Sequence, residues 1–178
     1  MSANKVRESA KARDIALDVL KHLVPLRLHE RNFTKPVAGE LGVLPIYVIP
    51  PKRLLKDQFN KGWRWGWCYF WVSSEDFGAI VNIFRGGKDG PAFAGFSFGR
   101  KAKKVAEMLD VASVDVDGSP IKFRPRLLRL APLHLEAIWL NSDPDDEPEH
   151  FYSLTTGIES DQFLQVAKNR ATRWNTKR

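Results

Sequence analysis

A histidine and a glutamate stand two positions apart at His134 and Glu136. Zinc deaminases use such a His-x-Glu pair, but their metal also needs a Pro-Cys-x-x-Cys segment. The chain has one cysteine, Cys68, so this zinc site is excluded. We expect His134 and Glu136 to share one face of a strand over 133–140, as a half-buried and hydrogen-bonded pair. A small enzyme centred on these two residues and a nearby acidic loop is the third functional hypothesis.

That acidic loop follows Asn141 and is itself followed by His150. Carboxylate oxygens are the ligands that calcium and magnesium prefer. The spacing differs from that of an EF-hand loop, and the glycine such a loop needs is absent. We therefore expect a solvated hairpin tip without a metal ion. Its acidic residues are Asp143, Asp145, Asp146, Glu147 and Glu149.

Two other candidates for chemistry are weakened by their surroundings. Cys68 lies between Trp67 and Tyr69 in the most apolar segment of the chain, where a buried thiol is inert. The glycine-rich stretch 86–90 lacks the spacing of a phosphate-binding loop and the Ser or Thr after its lysine. We find no dinucleotide fingerprint, so the sequence predicts no cofactor and favours a protein that is not an enzyme.

Composition bounds the class of protein. The 178 residues include 28 Lys or Arg and 21 Asp or Glu, which gives a net charge of +7. With 43% apolar residues, the chain is neither disordered nor collagen-like. A single cysteine fits a reducing compartment. Acidic residues interrupt the first twenty positions, and no apolar run is long enough to span a membrane, so we expect a cytoplasmic protein.

Local patterns predict a single α+β domain over 1–178, with a largely antiparallel sheet. A helix occupies 1–24 and ends at Pro25, and 25–61 is irregular apart from a strand at 46–49. Alternating residues and short turns then predict a three-stranded meander. Its strands are 63–72, 79–84 and 92–98.

The second half of the chain continues the sheet, which we expect to extend over 62–157. A helix is expected over 99–110, followed by a hairpin whose turn is Asp117-Gly118. Later strands are expected at 133–140 and 150–154, and 158–178 should form a closing helix with a basic tail. The predicted helices are therefore N-terminal, middle and C-terminal, and they pack on the sheet.

Alternate residues of the first meander strand form an aromatic row. Such a row is typical of a core beneath a helix, but it can also stack unpaired bases or anchor a protein partner. Its first members stand beside Gly62, Arg64 and Gly66, so we expect Trp63 and Trp65 to be its most exposed side chains. The row consists of Trp63, Trp65, Trp67, Tyr69 and Trp71.

Two basic clusters are candidates for binding an anion. Lys122, Arg124 and Arg126 alternate along a predicted strand. Another four cations stand where a helix begins, although the helix dipole favours anions at that end. A bound phosphate or carboxylate would explain their presence. These four residues are Arg100, Lys101, Lys103 and Lys104.

These features favour binding over catalysis. The first hypothesis is a non-enzymatic binding protein whose partner is another protein, as in immunity, adaptor or chaperone-like proteins. It depends on the abundant aromatics and on charge that segregates into a basic body and an acidic loop. The second is a nucleic-acid-binding protein that uses the basic stripe and the exposed tryptophans. No membrane partner is expected, and the oligomeric state is left open.

Overall fold

We analysed a computed structural model, which describes residues 9–30, 39–73, 77–86, 89–119, 121–143 and 149–176. Within these residues the chain forms four α-helices and seven strands. The helices are α1 (Ala10–Glu30), α2 (Pro51–Leu54), α3 (Lys101–Asp115) and α4 (Phe163–Thr176). The strands are β1 (Gly39–Val48), β2 (Trp63–Ser73), β3 (Gly78–Phe84), β4 (Ala92–Gly99), β5 (Lys122–Leu130), β6 (Leu135–Asp143) and β7 (His150–Ser153).

The strands form a mostly antiparallel sheet in the order β4-β3-β2-β1-β5-β6-β7. The meander β2-β3-β4 and the meander β5-β6-β7 are antiparallel, whereas β1 pairs with β5 in parallel. Short turns connect the meander strands, as local alternation predicted. The predicted α+β class with a largely antiparallel sheet is therefore confirmed. None of the helices in the described part of the chain is long and apolar enough to cross a membrane.

Contacts group the chain into two compact units, and unit 1 comprises Met1–Pro45 and Gly66–Glu107. Its core lies between α1 and the strands β3 and β4. Ala79, Val81 and Ile83 of β3 meet Trp67 and Tyr69 of β2 in this core. At Gly66 the backbone of β3 comes so close that an added Cβ would lie 2.0 Å from the carbonyl oxygen of Ile83. The glycine beside the aromatic row thus permits a close approach of backbone, as its position suggested.

Helix α1 continues through Pro25, and the prediction that it ends there is wrong. Every fourth residue of α1 is buried, and this stripe includes Val24 and Leu28 on both sides of the proline. An interior proline costs about 3 kcal/mol because it removes a hydrogen bond and crowds the preceding turn. Burial of the side chains beyond it offsets this cost. The whole stripe is Ala12, Ala16, Leu20, Val24 and Leu28.

Unit 2 comprises Ile46–Trp65 and Met108–Arg178. Its core lies beneath α4, whose residues Phe163, Ala167 and Ala171 are fully buried at four-residue spacing. Trp139 of β6 lies in the same cluster and is also fully buried. Its ring lies 6.4 Å from that of Phe151, centroid to centroid. An aromatic core therefore anchors α4 to β6 and β7.

Four other element predictions need correction. The segment 25–61 is not mainly irregular, since it contains β1, α2 and a 3-10 turn at Phe59–Lys61. No hairpin surrounds Asp117-Gly118, because α3 runs on to Asp115 and Gly118 lies in the turn that follows. Buried Ala112 extends the apolar stripe of α3 beyond the predicted end of that helix. The strand predicted from residue 133 begins at Leu135 instead.

Candidate functional site

The segment from Pro50 to Gly62 folds into a compact turn that presents cations to solvent. Pro51 begins α2, where a proline is tolerated because its missing N–H would have no partner there. The amide of Gln58 then donates to the carbonyl of Arg53 at 3.0 Å and closes the turn. Leu54 and Phe59 are buried in the core of unit 2, and their packing fixes the segment to that core.

The side chain of Arg53 connects the start of this segment to its end. Its guanidinium Nη1 donates to the carbonyl oxygen of Lys61, eight residues later in the chain. The amide of Gly62 donates to the carbonyl of Phe59 at 2.9 Å, which ends the 3-10 turn. The exposed side chains of Lys52 and Lys56 therefore project from a braced backbone.

Helix α4 packs directly against α2. The ammonium group of Lys168 lies 2.6 Å from a carboxylate oxygen of Asp57 and joins the helix to the turn after α2. Arg170 donates to the carbonyl oxygen of Leu133 at 2.9 Å and joins the other side of the helix to the turn before β6. These contacts fix α4 beside the braced segment, although the two are more than 100 residues apart in the chain.

The pairing of α2 with α4 concentrates positive charge. The segment Pro51–Lys61 and helix α4 together carry seven basic residues and one acidic residue, a net charge of +6. Asp57 is that acidic residue, and it is already paired with Lys168. We call this surface the α2–α4 basic face. The cations of the two segments are Lys52, Arg53, Lys56, Lys61, Lys168, Arg170 and Arg173, of which Arg170 lies on the opposite side of α4.

An open groove of about 570 Å³ lies within the α2–α4 basic face. This volume falls in the range of ligand pockets. Asn175 at the end of α4 lines the groove, and its Oδ1 atom is buried with no hydrogen-bond partner in the described part of the chain. The groove thus offers cations, one apolar side chain and the side-chain amide of Gln58. Its lining residues are Lys52, Arg53, Leu55, Lys56, Gln58 and Asn175.

Trp63 follows this segment directly and presents an exposed aromatic ring. It begins β2 and stands two residues after Lys61, and 49% of its surface is exposed. Trp65 is half-buried, and Trp67 is only 6% exposed. The prediction that the start of the row is its most exposed part is therefore confirmed for Trp63. Arg64 between the two tryptophans is half-buried and makes polar contacts.

The predicted stripe on β5 is only partly available to a ligand. Lys122 and Arg124 are exposed, whereas the guanidinium carbon of Arg126 lies 4.4 Å from the ring centroid of Tyr47 and 4.7 Å from that of Trp139. Cation–π contacts of this kind stabilise a fold by about 0.5–2 kcal/mol. Arg126 therefore has a structural role that its position in the stripe did not indicate.

The four cations at the start of α3 belong to unit 1. Arg100 precedes the helix and is exposed, as is Lys101 in its first turn, while Lys103 and Lys104 are half-buried. Lys103 forms an ion pair at 3.7 Å with Glu107, one turn further along the helix. Part of this cluster is thus neutralised by its own helix. Anion binding at this helix end stays a prediction.

The proposed histidine–glutamate pair does not form. His134 lies in a left-handed turn (φ 53°) before β6 and is exposed, so the prediction that it shares a strand face with Glu136 is wrong. Glu136 instead accepts a hydrogen bond from Arg129 Nε at 2.8 Å. In the part of the chain that the structure describes, no group of three or more His, Cys, Asp or Glu side chains could hold a metal ion. The acidic loop's residues 144–148 lie outside the described residues.

Sequence reasoning missed Lys52, Arg53, Lys56 and Arg173. Lys52, Arg53 and Lys56 lie in the segment 25–61, which was predicted to be irregular, and Arg173 lies in the predicted closing helix. Two features of the sequence could have indicated a basic surface. The segment Phe163–Thr176 has no acidic residue, and Pro51–Lys61 contains four basic residues. Comparison with protein-family models, with curated proteins and with solved structures gives no match. The functional argument therefore depends on these residues alone.

Proposed function

We propose that this chain is a non-enzymatic binding protein whose ligand is single-stranded nucleic acid. The observation that carries the proposal is that two distant segments, with a net charge of +6 between them, pack together and form the α2–α4 basic face. Phosphates along a strand are neutralised by cations arranged in this way, and counterion release supplies most of the affinity.

One further feature favours an unpaired strand over a duplex. The half-exposed indole of Trp63 stands two residues after Lys61, and an exposed aromatic ring stacks on an unpaired base. Cations, one stacking ring and few base-specific groups are typical of binding with little sequence preference.

This proposal reverses the order of the two leading sequence-based hypotheses. A protein partner came first because catalytic motifs are missing, aromatic residues are abundant, and charge divides into a basic body and an acidic loop. Packing of α2 against α4 concentrates part of the positive charge, which is the specific observation favouring nucleic acid. The protein-partner hypothesis stays a prediction, and the feature that favours it is β4, the terminal strand of the sheet order.

Fluorescence anisotropy with a labelled oligonucleotide of about 20 nucleotides tests the proposal. Binding should weaken steeply with salt, since each neutralised phosphate of a single strand contributes a slope of about −0.7 to log K against log salt. A Lys52→Glu, Lys56→Glu double variant should weaken binding and reduce the magnitude of that slope by about 1.4. Both side chains are exposed, so the fold should persist.

A matched control has the same change of charge elsewhere. Lys21 on α1 and Arg85 after β3 are exposed and both lie in unit 1, so a Lys21→Glu, Arg85→Glu double variant also changes the net charge by −4. The control should retain most of the affinity. Equal weakening by the two doubles would show attraction to net charge alone and would contradict the proposed site. Failure of the wild type to bind either RNA or DNA at low salt would refute the function itself.

Trp63→Ala gives a separate measurement of stacking. Loss of a base–aromatic stack costs about 1–3 kcal/mol, or roughly 5- to 150-fold in Kd. This change should leave the salt slope unaltered because it removes no charge. Tighter binding to a duplex of the same length than to the single strand would exclude the single-strand form of the proposal. The same conclusion would follow if Trp63→Ala bound the oligonucleotide as tightly as the wild type does.

A further inference from the structure

Strand β4 leaves one edge of its sheet open. It is the terminal strand of the order, and no strand among the described residues pairs with its outer side. Proteins usually protect such an edge with charges, but no charged residue occurs between Gly90 and Gly99. One bulge, at Ala94, interrupts the register with β3 and adds local twist.

Apolar rings lie along this edge. Phe93 is 50% exposed, which is unusual for a phenylalanine within a strand. It pairs with Ile83, and Phe96 pairs with Val81. Ile83 and Val81 both belong to the core beneath α1, so Phe93 and Phe96 lie on the same face of the sheet. A strand added along β4 would cover the exposed half of Phe93.

Charges at the two ends of β4 have opposite sign. Asp89 precedes the strand, and Lys11 of α1 donates to its carbonyl oxygen at 3.2 Å, which fixes the turn. Arg100 follows the strand and is exposed. When a strand pairs with an identical strand about a two-fold axis, the start of one lies beside the end of the other. A parallel arrangement would instead place like charges together.

One antiparallel register brings together both the phenylalanine rings and the opposite charges of the two copies. If Phe93 lies opposite Phe96 of a second copy, the chain direction also brings the turn that contains Asp89 toward the end of β4 that Arg100 follows in that copy. Aromatic cross-strand pairs and opposite charges each stabilise a sheet by about 0.2–1 kcal/mol. The two-fold axis repeats each pair, so the contact is closed and involves two chains only.

From these features we infer that the outer edge of β4 is a dimer interface, paired antiparallel with β4 of a second copy of this chain. The interface lies in unit 1 and does not depend on the nucleic-acid proposal, whose residues lie in unit 2. Continuation of the sheet across the axis would add backbone hydrogen bonds along the outer side of β4.

Sedimentation velocity of the full chain between about 1 and 200 µM tests this interface. The expected result is a reversible shift toward twice the 20.3 kDa mass of one chain. Ser97→Lys places a charge on the exposed edge and should keep the protein monomeric. The matched control is Ser113→Lys, on an exposed position of α3. A monomeric wild type throughout this range would overturn the inference, as would a dimer unaffected by Ser97→Lys.

A charge exchange tests the register. Asp89→Arg and Arg100→Asp should each weaken the dimer by roughly 10-fold, since each places like charges together twice. The two changes combined in one chain should restore the dimer to within about threefold of the wild type. Absence of rescue would refute the antiparallel pairing. Growth of species larger than a dimer would also refute it, because open-ended association needs two different edges.

Discussion

Replacement of tryptophans along β2 measures where its aromatic row is packed. Trp67 is 6% exposed and lies in the core beneath α1. A buried tryptophan removes about 150–250 Å² from water, which at about 25 cal/mol per Å² amounts to roughly 4–6 kcal/mol. Partial collapse around the vacated space lowers the observed cost. We expect Trp67→Ala to reduce the free energy of unfolding by about 3–5 kcal/mol.

Trp63 provides the internal comparison on the same strand. Because 49% of its surface is already in water, the same arithmetic limits the cost of Trp63→Ala to about 2–3 kcal/mol. Trp65 and Trp71 are half-buried and should fall between these values. The expected order of the losses in free energy of unfolding therefore follows the exposed fraction of each tryptophan.

Urea unfolding of the single variants, followed by circular dichroism, measures these differences. The midpoint should shift most for Trp67→Ala while the slope m stays constant, which shows that the unfolding reaction is unchanged. Equal and large losses at Trp63 and Trp67 would refute the reasoning, because a half-exposed ring cannot cost as much as a buried one. Trp63 would then also lose its place in the binding proposal.

Two other outcomes are expected. Cys68 is buried, so a thiol reagent at neutral pH should label it only as fast as the native protein opens, and rapid labelling of the folded chain would contradict its burial. Burial, followed by the hydrogen bond to the Asp115 carboxylate, raises the pKa of Tyr152 to about 12 from 10.0. The neutral phenol is therefore favoured in the folded state, so its contribution to stability is complete below pH 10 and is lost as the pH rises toward 12. The loss should reach up to about 1.4 kcal/mol per pH unit, and a Tyr152→Phe variant that loses stability just as steeply over that range would disprove the assignment.

Local sequence determined the elements whose signals are short-range. Alternation along β2, β3 and β4 and the turns between them define a meander without help from the rest of the chain. The predicted closing segment 158–178 likewise contains α4, Phe163–Thr176, whose buried residues stand at four-residue spacing. The exposure of Trp63 was also predictable, because its neighbours Gly62 and Arg64 are not core residues.

Tertiary contacts decided those features of the structure that local sequence patterns cannot predict. Helix α1 continues past Pro25 because burial of Leu28 outweighs the free-energy cost of an interior proline. Arg126 is not available to a ligand as the predicted stripe required, because its guanidinium contacts the rings of Tyr47 and Trp139. The α2–α4 basic face exists only because Leu54 and Phe163 are buried in the same core, which places their exposed cationic neighbours side by side. Sequence gives the charge of each segment, but packing of the apolar faces decides which charges become neighbours.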